Sequence, residues 1–302
     1  MRWPHGGILA AVFCAALAAC GGTPEPPPDP DAVRDAEISS SLEMARFAFL
    51  SGRYDQAVQA YSGSLERAYA RDDVMAIAVA GQELAFSYLR DGKPKEAATV
   101  ASRTREELAR RGRPARPALT LVEATARYRL NETATAERLA REVAGASGDP
   151  MAAARATFLL GLIAADRPDL LALNSALDAL PRSADQPEIR ADRLHLTGRL
   201  HLTRKEYRQA ADAFMAEEAL RRVSGDEPGV ARALALAAEA KEESGQKTLA
   251  ADLWFRSGRS AAQEGDAQAA TRLRRAETLA RHTGQPALAN EARRLRLGLK
   301  SR

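Results

Sequence analysis

The sequence predicts an all-α fold, a solenoid of antiparallel helical hairpins, and three observations carry that prediction. Ala, Leu, Arg and Glu are abundant while aromatic residues make up only 5% of the 302 residues, a composition typical of helices that pack closely. Few runs alternate β-branched with polar residues, so no sheet is predicted. From about residue 33 onward, breakers or polar turns recur about every twenty residues, which is typical of a repeat architecture.

The first predicted element is an export signal over residues 1–19. Arg2 supplies the positive start, and residues 8–19 form an apolar run that is too short to span a bilayer. The run ends in the sequence LAAC at residues 17–20, which resembles the lipobox of bacterial lipoproteins. The resemblance implies that Cys20 is modified with diacylglycerol, becomes the amino terminus after cleavage, and is then acylated. The alternative is an ordinary signal peptide cut at an Ala-x-Ala site.

The resemblance also implies a destination. Several acyl chains on one residue make a stable membrane anchor. The residue after Cys20 is Gly21 and not the Asp that favours retention in the inner membrane, so we expect a lipid-anchored protein of the bacterial cell envelope, on the outer membrane and facing the periplasm. The covalent lipid is the only cofactor expected. Because Cys14 and Cys20 are the only cysteines, a disulfide framework or a thiolate metal site in the body is excluded.

Residues 20–33 are predicted to hold the lipidated cysteine and a linker. The sequence TPEPPPDPD at residues 23–31 is dense in proline, which favours extended polyproline II over helix or sheet. Roughly a dozen residues at about 3.1 Å each would reach on the order of 40 Å. Its acidic side chains disfavour contact with anionic headgroups. A ligand for a proline-binding domain is the alternative to a spacer.

Residues 34–302 are predicted to form the helical domain. Apolar residues recur at steps of three and four, as at Ile77, Leu84, Ala85 and Tyr88, which is the period of a helix face. Thirteen turns imply about fourteen helices, or seven hairpins. The turn residues are Gly52, Asp72, Gly92, Gly112, Asn131, Gly148, Pro168, Asp185, Lys205, Gly225, Gly245, Gly265 and Gly284.

Residues around these turns resemble the tetratricopeptide repeat. The sequence GRYDQA at residues 52–57 precedes Tyr61, and Gly198 precedes Tyr207 and Phe214. In such an arrangement small residues allow close helix approach and aromatics fill the gaps, so wedges between helices are predicted at Tyr54, Tyr61, Tyr207, Phe214 and Trp254. The resemblance covers roughly residues 37–280. The repeat is nearer to about forty residues than to the family's usual 34, which implies longer helices. Leu173 also stands where the family prefers a small residue.

The resemblance further predicts a groove that binds a partner. The family's small residue aligns with Ala45, Ala85, Ala124, Gly161 and Gly198, and the helices that carry it line the concave side of such arrays. Aromatic and Arg residues dominate binding hot spots, so we expect a stripe suited to an extended peptide or a helix with acidic and apolar anchors. The alternative is that these aromatics are core. The predicted groove residues are Arg46, Phe49, Phe86, Arg90, Tyr128, Arg129, Arg155, Phe158 and Arg199.

No catalytic, metal or nucleic-acid signature is found, so the sequence does not predict an enzyme. It holds no Gly-rich phosphate loop, HExxH, nucleophile elbow or CxxC. His195 and His201 are six residues apart and fall on different helix faces, so no metal site is expected. A net charge of +4 is too small to indicate a nucleic-acid binder.

Two functions remain open at this point. The first is a scaffold or adapter that binds envelope proteins or peptides, as similar tetratricopeptide lipoproteins do. The second is a lipoprotein that binds lipid, lipopolysaccharide or cell-wall polymer through basic C-terminal helices. The basic residues concerned are Arg272, Arg274, Arg275, Arg281, Arg293, Arg294, Arg296 and Lys300, and a second basic stretch spans residues 110–117.

Overall fold

The computed structural model describes residues 35–146, 148–181 and 185–299. Every regular element in these ranges is an α-helix, which confirms the predicted all-α solenoid of fourteen helices. The predicted signal peptide and linker, including Cys20, lie outside the described residues. The helices are α1 (Ala36–Leu50), α2 (Tyr54–Ala70), α3 (Val74–Arg90), α4 (Pro94–Arg110), α5 (Pro117–Arg129), α6 (Thr133–Ala144), α7 (Pro150–Asp166), α8 (Leu170–Ala179), α9 (Pro187–Thr203), α10 (Tyr207–Val223), α11 (Glu227–Glu243), α12 (Lys247–Gln263), α13 (Ala269–His282) and α14 (Pro286–Gly298).

The helices end where the sequence predicts turns. At Gly52, after α1, φ is +74°, and the amide of Arg53 donates to the carbonyl of Ala48 at 3.0 Å, which satisfies one of the last carbonyls of the helix. A similar φ, between +68° and +80°, occurs at six further predicted turn glycines, where the absence of a Cβ makes it accessible. Asp72, Asn131 and Lys205 adopt it as well. The regular spacing of these residues therefore sets the helix lengths.

Successive helices pack as hairpins, and the first helices of the hairpins form a continuous layer. Each helix contacts the next along the chain, and α1 contacts α3, α3 contacts α5, α5 contacts α7, and α7 contacts α9. We call the side formed by these helices the odd-helix layer. α8 departs from the pattern because it has only 10 residues, against 17 in eight of the other helices, and its Leu173 is buried.

The helices approach closely through small residues. Ala45, Ala85 and Ala124 are fully buried. A Cβ added to Gly161 would stand 2.3 Å from Leu196 Cδ1, and one added to Gly198 would stand 2.5 Å from Phe214 Cε1. These five positions are the ones that the sequence aligns with the family's small residue, so the predicted register of the first five hairpins matches the observed packing.

Gly198→Ala is expected to destabilise the domain by about 1–3 kcal/mol, because the added methyl overlaps the ring of the fully buried Phe214. Gly63→Ala is the matched control. Gly63 lies inside α2, and no atom lies within 4 Å of the added Cβ. Because alanine has a higher helix propensity than glycine, this variant should be more stable than the wild type by up to about 1 kcal/mol. Urea denaturation measures both variants, and equal midpoints would contradict the close approach of α9 and α10.

Candidate partner-binding surface

All nine residues of the predicted groove lie on the odd-helix layer, two on each of α1, α3, α5 and α7 and one on α9. The layer therefore has the composition that the sequence predicts. The surroundings of the nine residues differ, however. Arg46, Phe86 and Arg90 are exposed, and Phe49 is half-buried against the core of the first hairpin. Several of the residues on α5, α7 and α9 are bonded to neighbouring helices.

Phe49, Phe86 and Arg90 belong to a contiguous, partly exposed aromatic group. The ring of Phe49 lies 5.4 Å from that of Tyr54 and 5.4 Å from that of Phe86, centroid to centroid. The guanidinium of Arg90 lies 5.8 Å over the Tyr54 ring and donates to its hydroxyl at 3.3 Å. Phe86 remains 40% exposed. We call these four residues the aromatic patch, which presents aromatic and cationic groups of the kind found in binding hot spots.

The sequence interpretation missed the place of Tyr54 in this group. It treated Tyr54 as a wedge between helices, as it did Tyr61 and Phe214. Those two rings are fully buried, but Tyr54 is half-buried at the start of α2. Its place in the sequence could have indicated this, because only the short loop that contains Gly52 separates Tyr54, at the start of α2, from Phe49, near the end of α1.

A second exposed apolar surface lies on α1. Met44, Phe47 and Leu50 are 63%, 66% and 74% exposed and recur every three residues, so they share one side of the helix. We call them the apolar face of α1. Arg53 lies over the Phe47 ring at 5.6 Å, and Arg46 is exposed on the same helix. This face could not be recognised from the sequence, because an exposed apolar face of a helix has the same spacing of apolar residues as a buried one.

Tyr128 and Arg199 are joined through Asp166. The Tyr128 hydroxyl donates to Oδ2 of Asp166 at 2.5 Å, and Nη2 of Arg199 donates to Oδ1 at 2.6 Å. Burial raises the pKa of Tyr128, and the hydrogen bond to Asp166 raises it further. One carboxylate thus ties the C-terminal halves of α5, α7 and α9 together, and these two groove residues already have a partner within the chain.

Arg129 is held at the end of α3. Its Nη1 donates to the carbonyl of Leu89 at 2.7 Å, which satisfies one of the last carbonyls of α3 and places a cation at the negative end of the helix dipole. Its side chain nevertheless retains exposure to solvent. Since Leu89 precedes Arg90, this bond brings Arg129 next to the aromatic patch.

Arg155 and Phe158 border a buried polar cluster instead. The Phe158 ring lies 5.6 Å from the His195 ring, which packs on Phe214 at 5.8 Å. Nε of Arg155 lies 3.7 Å from Oδ2 of Asp192, whose side chain is only 2% exposed. This end of the predicted groove is therefore more enclosed than the end at α1 and α3.

The buried cluster joins α9 to α10 by charge. Nη2 of Arg221 donates to Oδ1 of Asp192 at 2.6 Å, and its Nε donates to Oε1 of Glu217 at 3.3 Å. Nδ1 of His195 lies 3.0 Å from Oε2 of Glu217. Burial raises the pKa of Asp192, although Arg221 and Arg155 act in the opposite direction. Burial alone would lower the pKa of Arg221, but the facing carboxylates outweigh it and raise that pKa. This network was not predicted, because its members come from two helices and form no local pattern in the sequence.

The predicted basic stretches are largely paired. In the loop after α4, Arg111 pairs with Asp72 at 2.6 Å and Arg110 pairs with Glu107. Half of the eight basic residues predicted at the C-terminal end form ion pairs, which are Arg272 with Asp266, Arg275 with Glu242, and Arg281 and Arg296 with Glu277. Arg274, Arg293 and Arg294 are exposed, and Lys300 lies outside the described residues.

A cleft of about 330 Å³ lies between α6, α7 and α8. Its charged groups are already bonded within the chain: Glu137 pairs with Arg141 at 2.5 Å and with Arg167 at 2.9 Å, and Asp169 caps α8. The remaining lining is alanine, Leu160, Ser175 and Thr157, whose hydroxyl donates to the carbonyl of Ala153. The cleft therefore lacks the convergent polar groups that orient a small ligand.

In the part of the chain that the structure describes, no three His, Cys, Asp or Glu side chains are grouped so as to hold a metal ion. Within the same residues, no helix has the length and apolar character needed to cross a membrane.

Known structures resemble this arrangement, although no protein-family model and no curated protein matches the chain. The apo form of RapI has a TM-score of 0.54 at 12% identity, over 87% of this chain and 76% of that one. A tetratricopeptide repeat protein from Parabacteroides merdae has a TM-score of 0.51 at 13% identity, over 85% and 99%. A Rap protein complexed with competence and sporulation factor has a TM-score of 0.53 at 12% identity, over 88% and 98%. At these identities the likeness shows the fold alone, which is tetratricopeptide-like.

Arg221→Leu is expected to destabilise the domain by roughly 3–5 kcal/mol, because it leaves Asp192 and Glu217 buried without their cation. Arg141→Leu is the control, since Arg141 is 70% exposed in its pair with Glu137 and its loss should cost at most about 0.5 kcal/mol. Thermal and urea denaturation compare the two. A loss below about 1 kcal/mol for Arg221→Leu would show that the cluster admits water.

Proposed function

We propose that the chain is a lipid-anchored scaffold of the bacterial cell envelope that binds an extended segment of a partner protein along its odd-helix layer. The observation that carries the proposal is the aromatic patch, in which Phe86 stays 40% exposed while it stacks with Phe49. Aromatic and Arg side chains are the residue types that dominate binding hot spots, and here they are grouped on one surface. The partners are envelope proteins or peptides, and the chain acts as an adapter and not as an enzyme.

The geometry of the patch suits a peptide. Its rings come from α1, α2 and α3, so a bound segment would cross two hairpins and contact side chains from each. Aromatic side chains supply a large contact area at low cost in conformational entropy. A solved structure of similar fold is a Rap protein complexed with competence and sporulation factor. This precedent supports the proposal that an array of this kind holds a ligand.

The membrane attachment rests on the sequence. The proposed sequence of events is export, lipidation of Cys20 at the LAAC site, and display of the helical domain beyond a proline-rich spacer, on the outer membrane facing the periplasm. A tether of this kind raises the local concentration of the scaffold near other envelope proteins. A scaffold held at the membrane can then bind partners of modest affinity.

The alternative, contact of the basic C-terminal helices with lipid, lipopolysaccharide or cell-wall polymer, has less support. Four of its eight basic residues are engaged in ion pairs, so fewer cations are free to meet phosphate than the sequence indicates. We therefore propose the adapter function as the primary one.

Cys20→Ala is expected to release the protein from the membrane fraction, because no thiol remains to carry the diacylglycerol at the cleavage site. Fractionation of cells followed by a high-salt wash compares the variant with the wild type, and Cys14→Ala is the matched control, which should stay in the pellet. Metabolic labelling with a palmitate analogue gives a second measurement. Equal retention of both variants in the washed pellet would contradict the anchor.

Partner binding at the aromatic patch is tested by photo-crosslinking from position 86. A crosslinking residue replaces Phe86 in the lipidated protein in cells, and another replaces the exposed Arg208 on α10 as a control. We expect position 86 to capture a defined envelope protein and position 208 not to capture it. Phe86→Ala should then weaken binding of the identified partner by at least about tenfold, as expected for a hot spot.

The same variant separates a binding role from a packing role. A core phenylalanine truncated to Ala costs roughly 3–5 kcal/mol, whereas the partly exposed Phe86 should cost less than about 2 kcal/mol. Tyr61→Ala in the core supplies the comparison, since Tyr61 is fully buried. If Phe86→Ala unfolds the domain as strongly as Tyr61→Ala, or if no crosslink forms at position 86, the surface is not a binding site.

A further inference from the structure

The first and last helices of the described array differ in the character of their outer faces. α1 packs on α2 and α3, and α14 packs on α12 and α13. The exposed side chains of α14 include Asn290, Arg293 and Arg294, as expected of a helix that caps a repeat array with polar groups. Among the described residues of α14, Leu297 is the one large apolar side chain that is exposed. α1 instead carries its apolar face where a polar cap is expected.

α1 is apolar on two opposite sides. Ile38, Ala45 and Ala48 are buried against the neighbouring helices, and the apolar face lies on the other side. A helix that is apolar on both sides is typical of a position that is covered on both sides. Phe47 and Phe49 are two residues apart, which is about 200° around a helix. The apolar face and the aromatic patch therefore point in different directions and are separate surfaces.

A second copy of the chain is poorly matched to the apolar face. A standard interface buries about 800 Å² on each partner and draws on roughly 20–30 residues a side. The apolar face consists of three side chains over two turns of one helix, and the exposed Ser40 and Glu43 follow it toward the start of α1. The apolar area is therefore too small to hold a stable dimer by itself.

A lipid surface matches the apolar face better. α1 follows the predicted linker within a few residues, and a linker that reaches on the order of 40 Å keeps α1 within that distance of the bilayer. Phenylalanine and leucine are residue types that enter the boundary between headgroups and acyl chains. Arg53 lies over the Phe47 ring at 5.6 Å, so its stem can stay with the apolar group while its guanidinium meets lipid phosphate. Three apolar side chains bind a membrane weakly, but an anchor makes the contact intramolecular.

We propose that the apolar face of α1 inserts into the headgroup region of the membrane to which the chain is anchored. The inference rests on the lipid anchor of the proposed function and specifies how the domain is oriented on the membrane. The aromatic patch, on another side of α1, stays open to the partner. The exposed charges that border the face, Glu43 against Arg46 and Arg53, nearly balance, so the contact is mainly apolar.

Quenching of a fluorescent label by lipid tests the contact. The mature lipidated chain is reconstituted into vesicles of phosphatidylethanolamine and phosphatidylglycerol. Ser51→Cys places a label beside Leu50 and leaves the face intact, and Leu171→Cys on α8 and Leu297→Cys on α14 are controls at exposed positions. Labelling is specific because the anchored chain keeps no other free thiol. We expect a nitroxide in the upper acyl chain to quench position 51 at least about threefold more strongly than either control.

The response to salt separates an apolar contact from an electrostatic one. Between about 0.1 M and about 1 M salt the Debye length falls from about 10 Å to about 3 Å, which weakens contacts between exposed charges. Quenching at position 51 should persist over this range. A loss of more than about half of the quenching at the higher salt concentration would contradict the apolar contact.

Phe47→Ser combined with Leu50→Ser tests whether the face itself makes the contact. These side chains are 66% and 74% exposed, so the double variant should keep the melting temperature of the wild type, while quenching at position 51 falls to the level of the controls. Leu171→Ser removes an apolar side chain that is 86% exposed on α8 and should leave this quenching unchanged. If the double variant melts earlier, Phe47→Ser alone decides. Undiminished quenching in a folded variant would overturn the proposal.

Other occupants of the face give different results, and each of them overturns the proposal. Stronger quenching at position 297 than at position 51 would assign the membrane contact to the basic C-terminal helices. Energy transfer between copies labelled at position 51, without quenching by lipid, would assign the face to a second copy. A photo-crosslink from position 47 to an envelope protein, again without quenching by lipid, would assign it to a protein partner.

Failure of this inference can be told from failure of the proposed function. A chain that does not stay on the vesicles lacks the anchor, so the membrane attachment and the orientation fail together. A chain that stays on the vesicles and crosslinks a partner from position 86, but is not quenched at position 51, keeps the scaffold function and loses only the contact of α1 with lipid.

Discussion

The close approach of paired helices at one small residue per hairpin is the constraint on which the rest of the structure depends. Where Gly161 and Gly198 meet Leu196 and Phe214, no room remains for a single methyl group. The backbone of each first helix is thereby fixed relative to its neighbours, because well-packed interiors do not deform gradually. The positions of the odd-helix side chains, and with them the aromatic patch, follow from these contacts.

Charge reinforces the packing where the array is least regular. The short α8 offers less apolar surface than its counterparts, and beyond it the buried cluster of Arg221, Asp192 and Glu217 joins α9 to α10. A buried ion pair contributes little net stability compared with apolar packing, but it penalises wrong pairings of helices. We infer that this cluster specifies the register of the later hairpins.

Much of the fold could be predicted from the sequence because it is local. The turn residues, such as Gly52 and Gly245, are read from spacing alone, and the small residues at Ala45 and Gly198 are read from a pattern within one hairpin. The surface of the groove could be predicted only in outline. Whether Tyr128 faces a ligand or bonds Asp166 depends on a helix 38 residues away. The bond of Arg129 to the carbonyl of Leu89 likewise joins residues 40 positions apart, which no local pattern records.

The apolar face of α1 bears on how stability is distributed along the array. In a repeat protein each hairpin gains stability mainly from the interfaces with its neighbours. Within the described residues α1 packs on α2 and α3 only, and Met44, Phe47 and Leu50 remain in water. The first hairpin of the described residues has one such interface where an internal hairpin has two, so local opening is expected to be easier there than in the middle of the array. The first hairpin supplies Phe49 and Tyr54 to the aromatic patch, so a ligand that also contacts α3 would suppress this local opening. Part of the binding free energy of such a ligand would then be used to order the first hairpin.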